Sequence, residues 1–164
     1  MILKKINKNI LINLFLILAI FLIDRFSKVY VIYLDNKFNG EEIFSSKFLN
    51  IQLIWNKGIA FGLFSFNQEN LYNILTGIIF IIIIFILYLF FNSNGVKKYS
   101  ITIILAGAIG NLYDRIFFRA VPDFIDLHIG NFHWFIFNVS DIFITIGVVL
   151  MIILEIFEKP IIKK

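Results

Sequence analysis

The sequence contains no cysteine and only two histidines, His128 and His133. The first absence excludes disulfides, a thiol nucleophile and any cysteine-based metal site. The second leaves little for a metal centre. The two imidazoles lie five positions apart, without the His-Glu-x-x-His spacing of a zinc hydrolase, so neither a metal nor a cofactor is expected. Charge is also scarce, at 16% of 164 residues. Apolar residues make up 60% of the chain, 21 of them Phe, and the mean hydropathy is +0.89. A soluble domain of this length has no core large enough for so much apolar side chain, so lipid is the expected solvent.

Four apolar runs cover about residues 10–33, 71–91, 100–118 and 135–157, each near the ~20 residues that cross a hydrocarbon core. Backbone groups in lipid must be satisfied internally, so each run is expected to be a helix. The β-branched run at 81–84 would favour a strand in water, but length and context overrule it. The second run has no polar residue from 78 to 86, which suits a structural, lipid-facing role. Lys4, Lys5 and Lys8 precede the first run as in a signal peptide. No small-residue cleavage site follows, and the run continues past Asp24 to Tyr33, so an uncleaved helix is expected. The fold class is therefore an all-α integral membrane protein. It has four transmembrane helices and a small β-containing extracytoplasmic loop region, all in one domain spanning 1–164.

Basic residues set the orientation. Lys4, Lys5 and Lys8, then Lys97 and Lys98, then Lys159, Lys163 and Lys164 fall on one face after four crossings. The positive-inside rule makes that face, with both termini, cytoplasmic. The net charge of +4 is then topological, and no nucleic-acid partner is expected. The outer side receives two connections, about 34–70 and 119–134. In the first, "FLNIQLIW" alternates loosely and predicts a strand, while "GIAFGLF" suits a surface-hugging loop or short amphipathic helix. Trp55 and Trp134 fall near the predicted outer boundary, where indole rings favour the interface. The segment at 92–95, Asn-Ser-Asn-Gly, predicts a turn.

Polar residues gather in the outer half. Asp141 would lie about six residues inside the fourth helix, roughly 9 Å deep. Asp114 stands near the outer end of the third helix, with Asn111 one turn deeper and Arg115 on the same face. Asp24 lies nearer the middle of the first helix, with Lys28 at i+4. An ionised carboxylate costs roughly 2.5–3.5 kcal/mol at a membrane helix centre. Such groups have plain structural readings: an Asp24–Lys28 pair that fixes packing, and a hydrogen-bond cluster on the third helix. Ala106 and Gly110 permit close helix contact. The sequon at Asn138 abuts the membrane and is read as chance.

Asp123, Asp126 and Asp141 are harder to dismiss. Two carboxylates brought close share a proton, giving a general base and a general acid in one site. That is the chemistry of an aspartic protease, and it needs no cysteine or metal. From the residues alone, Asp141 can pair with Asp123, Asp126, Asp114 or Asp24.

Five motifs in order resemble lipoprotein signal peptidase, the bacterial type II signal peptidase family. They are "DRFSK" (24–28), "NKGIAFGLF" (56–64), "GAIGNLYDR" (107–115), "VPDFID" (121–126) and "FNVSD" (137–141). The resemblance implies an aspartic endopeptidase that removes signal peptides before a lipobox cysteine already carrying diacylglycerol. It implies Asp123 and Asp141 as the catalytic pair, with Asp126 a bystander. Asp24, Lys28, Asn56, Gly58, Asn111, Asp114, Arg115 and Asn138 match supporting or substrate-binding positions. The implied partners are diacylglyceryl prolipoproteins and membrane lipid, with the enzyme a monomer. The implied location is the bacterial inner (cytoplasmic) membrane, multi-pass, with the active site near the outer leaflet. Departures from the family pattern include Ala106 for a common Gly, Phe135 for a frequent Pro, and Ser140 for the usual Ala, which would add a hydroxyl beside the pair. The alternative from another class is a small transporter or proton channel with an acidic relay. A relay needs polar groups in both halves of the membrane, and the cytoplasmic half is almost bare.

Overall fold

The computed structural model describes residues 8–58 and 69–157. Four long helices are present among them: α1 (Lys8–Lys37), α2 (Glu69–Asn92), α3 (Gly95–Phe118) and α4 (Val139–Phe157). All four are long and apolar enough to cross a membrane. The segment "AFGLF", with Gly62, lies outside the described residues, as do the lysines at both chain ends apart from Lys8.

Four short strands complete the fold: β1 (Phe44–Ser45), β2 (Leu49–Asn56), β3 (Val121–Ile129) and β4 (Phe132–His133). They form one antiparallel sheet in the order β1-β2-β3-β4. The expected strand at 48–55 corresponds to β2. Its partner β3, in the second connection, was missed because its partner lies some seventy positions upstream. Asn56 pairs with Val121 and Ile54 with Asp123, with a register shift between Ile51 and Ile54.

Helix α3 is the hub of the bundle. Its buried positions run from Ser100 to Arg115, whereas α2 leaves most of its large apolar side chains exposed, as a lipid-facing helix should. Close packing of α3 on α4 depends on glycine. A methyl on Gly107 would stand 2.6 Å from the Ser140 carbonyl oxygen, and one on Gly147 would stand 2.9 Å from the Ser100 carbonyl. Small residues thus let the backbones touch, with Gly107 and Gly110 on α3 and Gly147 on the facing side of α4.

The helix ends differ from the sequence expectation in two informative places. α3 begins at Gly95, five residues before the expected start, so Lys97 and Lys98 lie in its first turn. α4 begins at Val139 rather than at residue 135. The apolar residues before it satisfy their backbone elsewhere: the Phe137 carbonyl accepts from both Phe124 and Ile125, and Phe137 N–H donates to Ile125. Asp141 therefore belongs to the first turn of α4, only ~3 Å along the helix from its start. The expected depth of six residues was an overestimate, because hydropathy cannot tell a bridged extended segment from a helix.

Candidate functional site

The site forms where α3, α4 and α1 meet the sheet, and the start of α4 organises it. Asn138 precedes the helix and Asp141 is its third residue. The Asn138 side-chain oxygen accepts from the Asp141 N–H at 3.2 Å, and the Asp141 carboxylate accepts from the Asn138 N–H, also at 3.2 Å. This is a reciprocal capping box built from Asn and Asp. "FNVSD" carried that signal, since Asn stands three positions before an acid ahead of an apolar run. Sequence reasoning passed over it by placing the helix start too early.

The second function of Asn138 is to join the two aspartates. Its side-chain amide donates to Asp123 at 2.6 Å, so one buried residue holds both carboxylates. Asp123 is delivered by β3, which starts three residues after α3 ends. The turn between them has Arg119 in the left-handed region, at φ 56°. Asn56, at the end of β2, donates to the other oxygen of Asp123 at 2.8 Å. Burial, and then the nearby charge of Asp141, push the Asp123 carboxyl up to about 6, although the Asn138 and Asn56 hydrogen bonds oppose that rise.

Asp141 receives a further amide from Asn111 of α3 at 2.7 Å. The orientation of Asn111 is set by Lys28 of α1, whose ammonium donates to the Asn111 oxygen at 3.0 Å. Lys28 is fully buried. Its remaining N–H groups reach Asp24 at 2.9 Å and Asp114 at 2.7 Å. All three ammonium protons thus have acceptors, the condition under which a buried cation is tolerable. Arg25 adds a 2.6 Å ion pair to Asp114, so the expected Asp24–Lys28 pair is part of a larger network. Asp24 also accepts from the Ser140 N–H at 3.0 Å. A carboxylate from α1 therefore satisfies an otherwise unpaired donor at the start of α4.

Arg115 donates to the Gly58 carbonyl at 2.8 Å and to the Asn111 carbonyl at 3.2 Å. Its donor fork secures the segment after β2, where Gly58 N–H also donates to the Asn56 side chain at 2.8 Å. The implied catalytic pair and all eight supporting positions thus belong to one connected cluster. One expectation changes. Ser140 was expected to set its hydroxyl beside the aspartate pair; it is fully buried and faces Gly110 of α3 instead. Asp126, a bystander in the resemblance, lies outside the cluster. It lies three positions from Asp123 on a strand, hence on the opposite face, and pairs with His133 at 2.8 Å.

Beside Asp141 lies a cavity of about 400 Å³, walled by Leu127, Ile129, Phe132, Trp134, Phe137 and Ile142 among others. Asp141 is its one acidic member among the described residues. An apolar channel bordered by a carboxylate fits a greasy, extended ligand better than a polar one. In the other half of the bundle, a buried polar contact joins Asn13 and Thr102, at 2.8 Å. Neither residue ionises.

Four membrane-length helices with a polar cluster beneath a small sheet define an integral membrane protein with a built site at one end. Comparison with known proteins makes this specific. Residues 16–157 match the family described as signal peptidase (SPase) II. The lipoprotein signal peptidase of Pelagibacter ubique is 50% identical over 94% of this chain and 93% of that protein. Its namesake from Aquifex aeolicus is 39% identical over 82% and 85% respectively. A solved bacterial membrane enzyme, 32% identical, superposes with a TM-score of 0.70 over 98% of this chain and 94% of its own. The chain belongs to the signal peptidase II family and is a membrane peptidase.

Proposed function

We propose that Asp123 and Asp141 are the aspartic pair with which this chain carries out lipoprotein signal peptidase activity. The observation that carries the reading is Asn138, whose amide and backbone together hold both carboxylates. Four carboxylates, from Asp24, Asp114, Asp123 and Asp141, share this end of the bundle with three cations, Arg25, Lys28 and Arg115. One proton on the Asp123–Asp141 pair makes the cluster electrically neutral, which suits a water-poor site.

Asp141 borders the cavity, whereas Asp123 is 3% exposed. Asp141 is therefore the base that takes a proton from the attacking water. Asp123 holds the shared proton and presents it to the carbonyl oxygen of the scissile bond. Water oxygen bonds to the carbonyl carbon, and the tetrahedral diol then collapses with proton transfer to the departing amine. Arg115 positions Gly58 and, through it, Asn56, and Asn111 and Lys28 hold Asp141 in register.

The substrates are diacylglyceryl prolipoproteins, cut before the lipobox cysteine. The apolar cavity supports this, because it gives a lipid-linked or hydrophobic segment a place beside Asp141. α4 has 19 residues, ~28 Å, which matches a hydrocarbon core. Its first turn then lies at the core boundary, where a carboxylate costs least. The positive-inside rule makes that boundary the outer leaflet of the bacterial inner membrane, with both termini cytoplasmic. The polar cluster is complete within one chain, which supports a monomeric enzyme.

Cleavage of a lipidated and an unlipidated precursor by enzyme purified in detergent tests the assignment. Only the lipidated form should be cut. Asp123→Asn and Asp141→Asn should each bind it without cutting it, and full cleavage by either variant rejects the pair.

A further inference from the structure

Outside the dyad, the β3–β4 hairpin groups three metal-ligating side chains that no role above uses. His128 lies directly opposite His133 in the register of the two strands, with Ile129 opposite Phe132. The connection is a two-residue turn, Gly130 and Asn131, with Gly130 at φ +58°. Directly opposed residues of an antiparallel pair project to the same face. Asp126 precedes His128 by two positions and joins them there. The two imidazole rings stack at 5.0 Å between centroids, and Asp126 Oδ2 stands 2.8 Å from His133 Nδ1.

One ligand atom from each of Asp126, His128 and His133 lies within 4.8 Å of the others. In addition, Asp126 Oδ1 and His128 Nδ1 are buried without a hydrogen-bond partner. Asp126 is 8% exposed, so its second oxygen has no solvent to serve it. Buried polar atoms left open in this way are costly, at about 1–3 kcal/mol each, unless something fills them.

We infer that Asp126, His128 and His133 form a binding site for a borderline divalent cation, zinc above all. Two imidazoles and one carboxylate suit Zn²⁺, whereas Ca²⁺ and Mg²⁺ want oxygen ligands alone. Ligand atoms around tetrahedral zinc lie ~3.3 Å apart given bonds of about 2.0–2.1 Å. Closing the cluster therefore takes side-chain shifts of about an ångström, within reach of rotations on a hairpin already in register. The fourth position is left for water. The sequence argument against a metal rested on the missing His-Glu-x-x-His spacing, and strand pairing assembles the ligands by another route.

The site is structural, not catalytic. Asp126 and Asp123 occupy opposite faces of β3, and the hydrolytic step proposed above uses no cation. What the metal does is brace the hairpin. β4 has two residues, both exposed, and a ribbon so short is marginal on its own. Yet Leu127, His128, Ile129, Phe132 and Trp134 from this hairpin wall the cavity beside Asp141. A cation shared by β3 and β4 stiffens that wall, and its binding energy adds to the stability of the folded enzyme.

The test uses tag-free, full-length protein in detergent, stripped with chelator and titrated with Co²⁺ and then Zn²⁺. One equivalent of Co²⁺ should give the visible bands of a four-coordinate complex, and Zn²⁺ should abolish them. Zn²⁺ should raise Tm by several degrees. His133→Ala, an exposed position, should fold normally but weaken the cation at least roughly tenfold, and Asp126→Asn should do the same. Two outcomes overturn the inference. One is no cobalt spectrum at any concentration up to the millimolar range. The other is equal affinity in wild type and both variants, which would mean an adventitious ion only, with Asp126–His133 a simple ion pair.

Discussion

Asn138 and Asp141 cap one another at the start of α4, each backbone N–H donating to the other's side chain at 3.2 Å. The same contact that begins the helix also fixes a carboxylate of the proposed dyad. Fold and site thus share a residue, and substitutions at Asn138 can separate the two roles.

Asn138→Ser keeps an oxygen for the cap but loses the amide that reaches Asp123 at 2.6 Å. Its thermal stability should stay close to wild type, while kcat falls about a hundredfold through misplacement of Asp123. Asn138→Ala should lose the same activity and a further ~1 kcal/mol of stability. Thermal melts and peptide-cleavage rates on both variants check this. A serine variant with near-normal kcat would separate Asn138 from positioning Asp123.

Lys28 satisfies three acceptors from a fully buried position. Lys28→Met leaves Asp24 and Asp114 under-compensated and should cost about 3–5 kcal/mol. Adding Asp114→Leu should recover part of that stability, because one uncompensated charge goes with it. Activity should not return, since Asn111 still lacks the ammonium that orients its amide toward Asp141. Chemical denaturation and cleavage assays on the single and double variants distinguish these outcomes.

Gly110 packs where α3 meets α4. A methyl there would collide with the Ser140 hydroxyl and stand 2.8 Å from an Asp24 oxygen. Gly110→Ala should therefore destabilise by about 1–3 kcal/mol. The Ser140 hydroxyl is buried without a partner, so Ser140→Ala should be neutral or stabilising by about 1 kcal/mol. It should also relieve part of the Gly110→Ala defect. Melting temperatures of the three variants test the packing directly.

The Asp123 carboxyl is raised to about 6, above the ~3.9 of an unfolded chain. A folded-state value above the unfolded one means the native state binds the proton more tightly. Its contribution to stability is complete below the unfolded pKa and is lost as pH rises through about 6. Asp123→Asn cannot ionise and escapes that loss, on the order of 3 kcal/mol. The Tm of the variant relative to wild type should climb from pH 4 to pH 7.5. A pH-independent difference would show that Asp123 carries no such penalty.

Much of the architecture was legible because lipid imposes a simple rule. Backbone polar groups in hydrocarbon must close on themselves, so long apolar runs with few charges became four helices. The confinement of Asp24, Lys28, Asn111, Asp114, Arg115, Asp123 and Asp141 to one end was likewise readable from their places along those runs and, for Asp123, in the outer connection between the last two. The sequence could not choose a partner for Asp141. That depends on the register of β2 and β3, on the short link from α3 to Asp123, and on where α4 begins. Phe135 to Phe137 are as apolar as the helix that follows, and only their bridge to Ile125 shows that they are not part of it. Ser140 and Asp126 were ambiguous for the same reason, since the face a side chain takes follows from pairing and helix phase. Composition and spacing therefore determined the solvent, the span count and the stock of chemical groups. Tertiary structure decided which of those groups touch, because contacts between distant positions are made by packing and strand register, and neither is written locally in the chain.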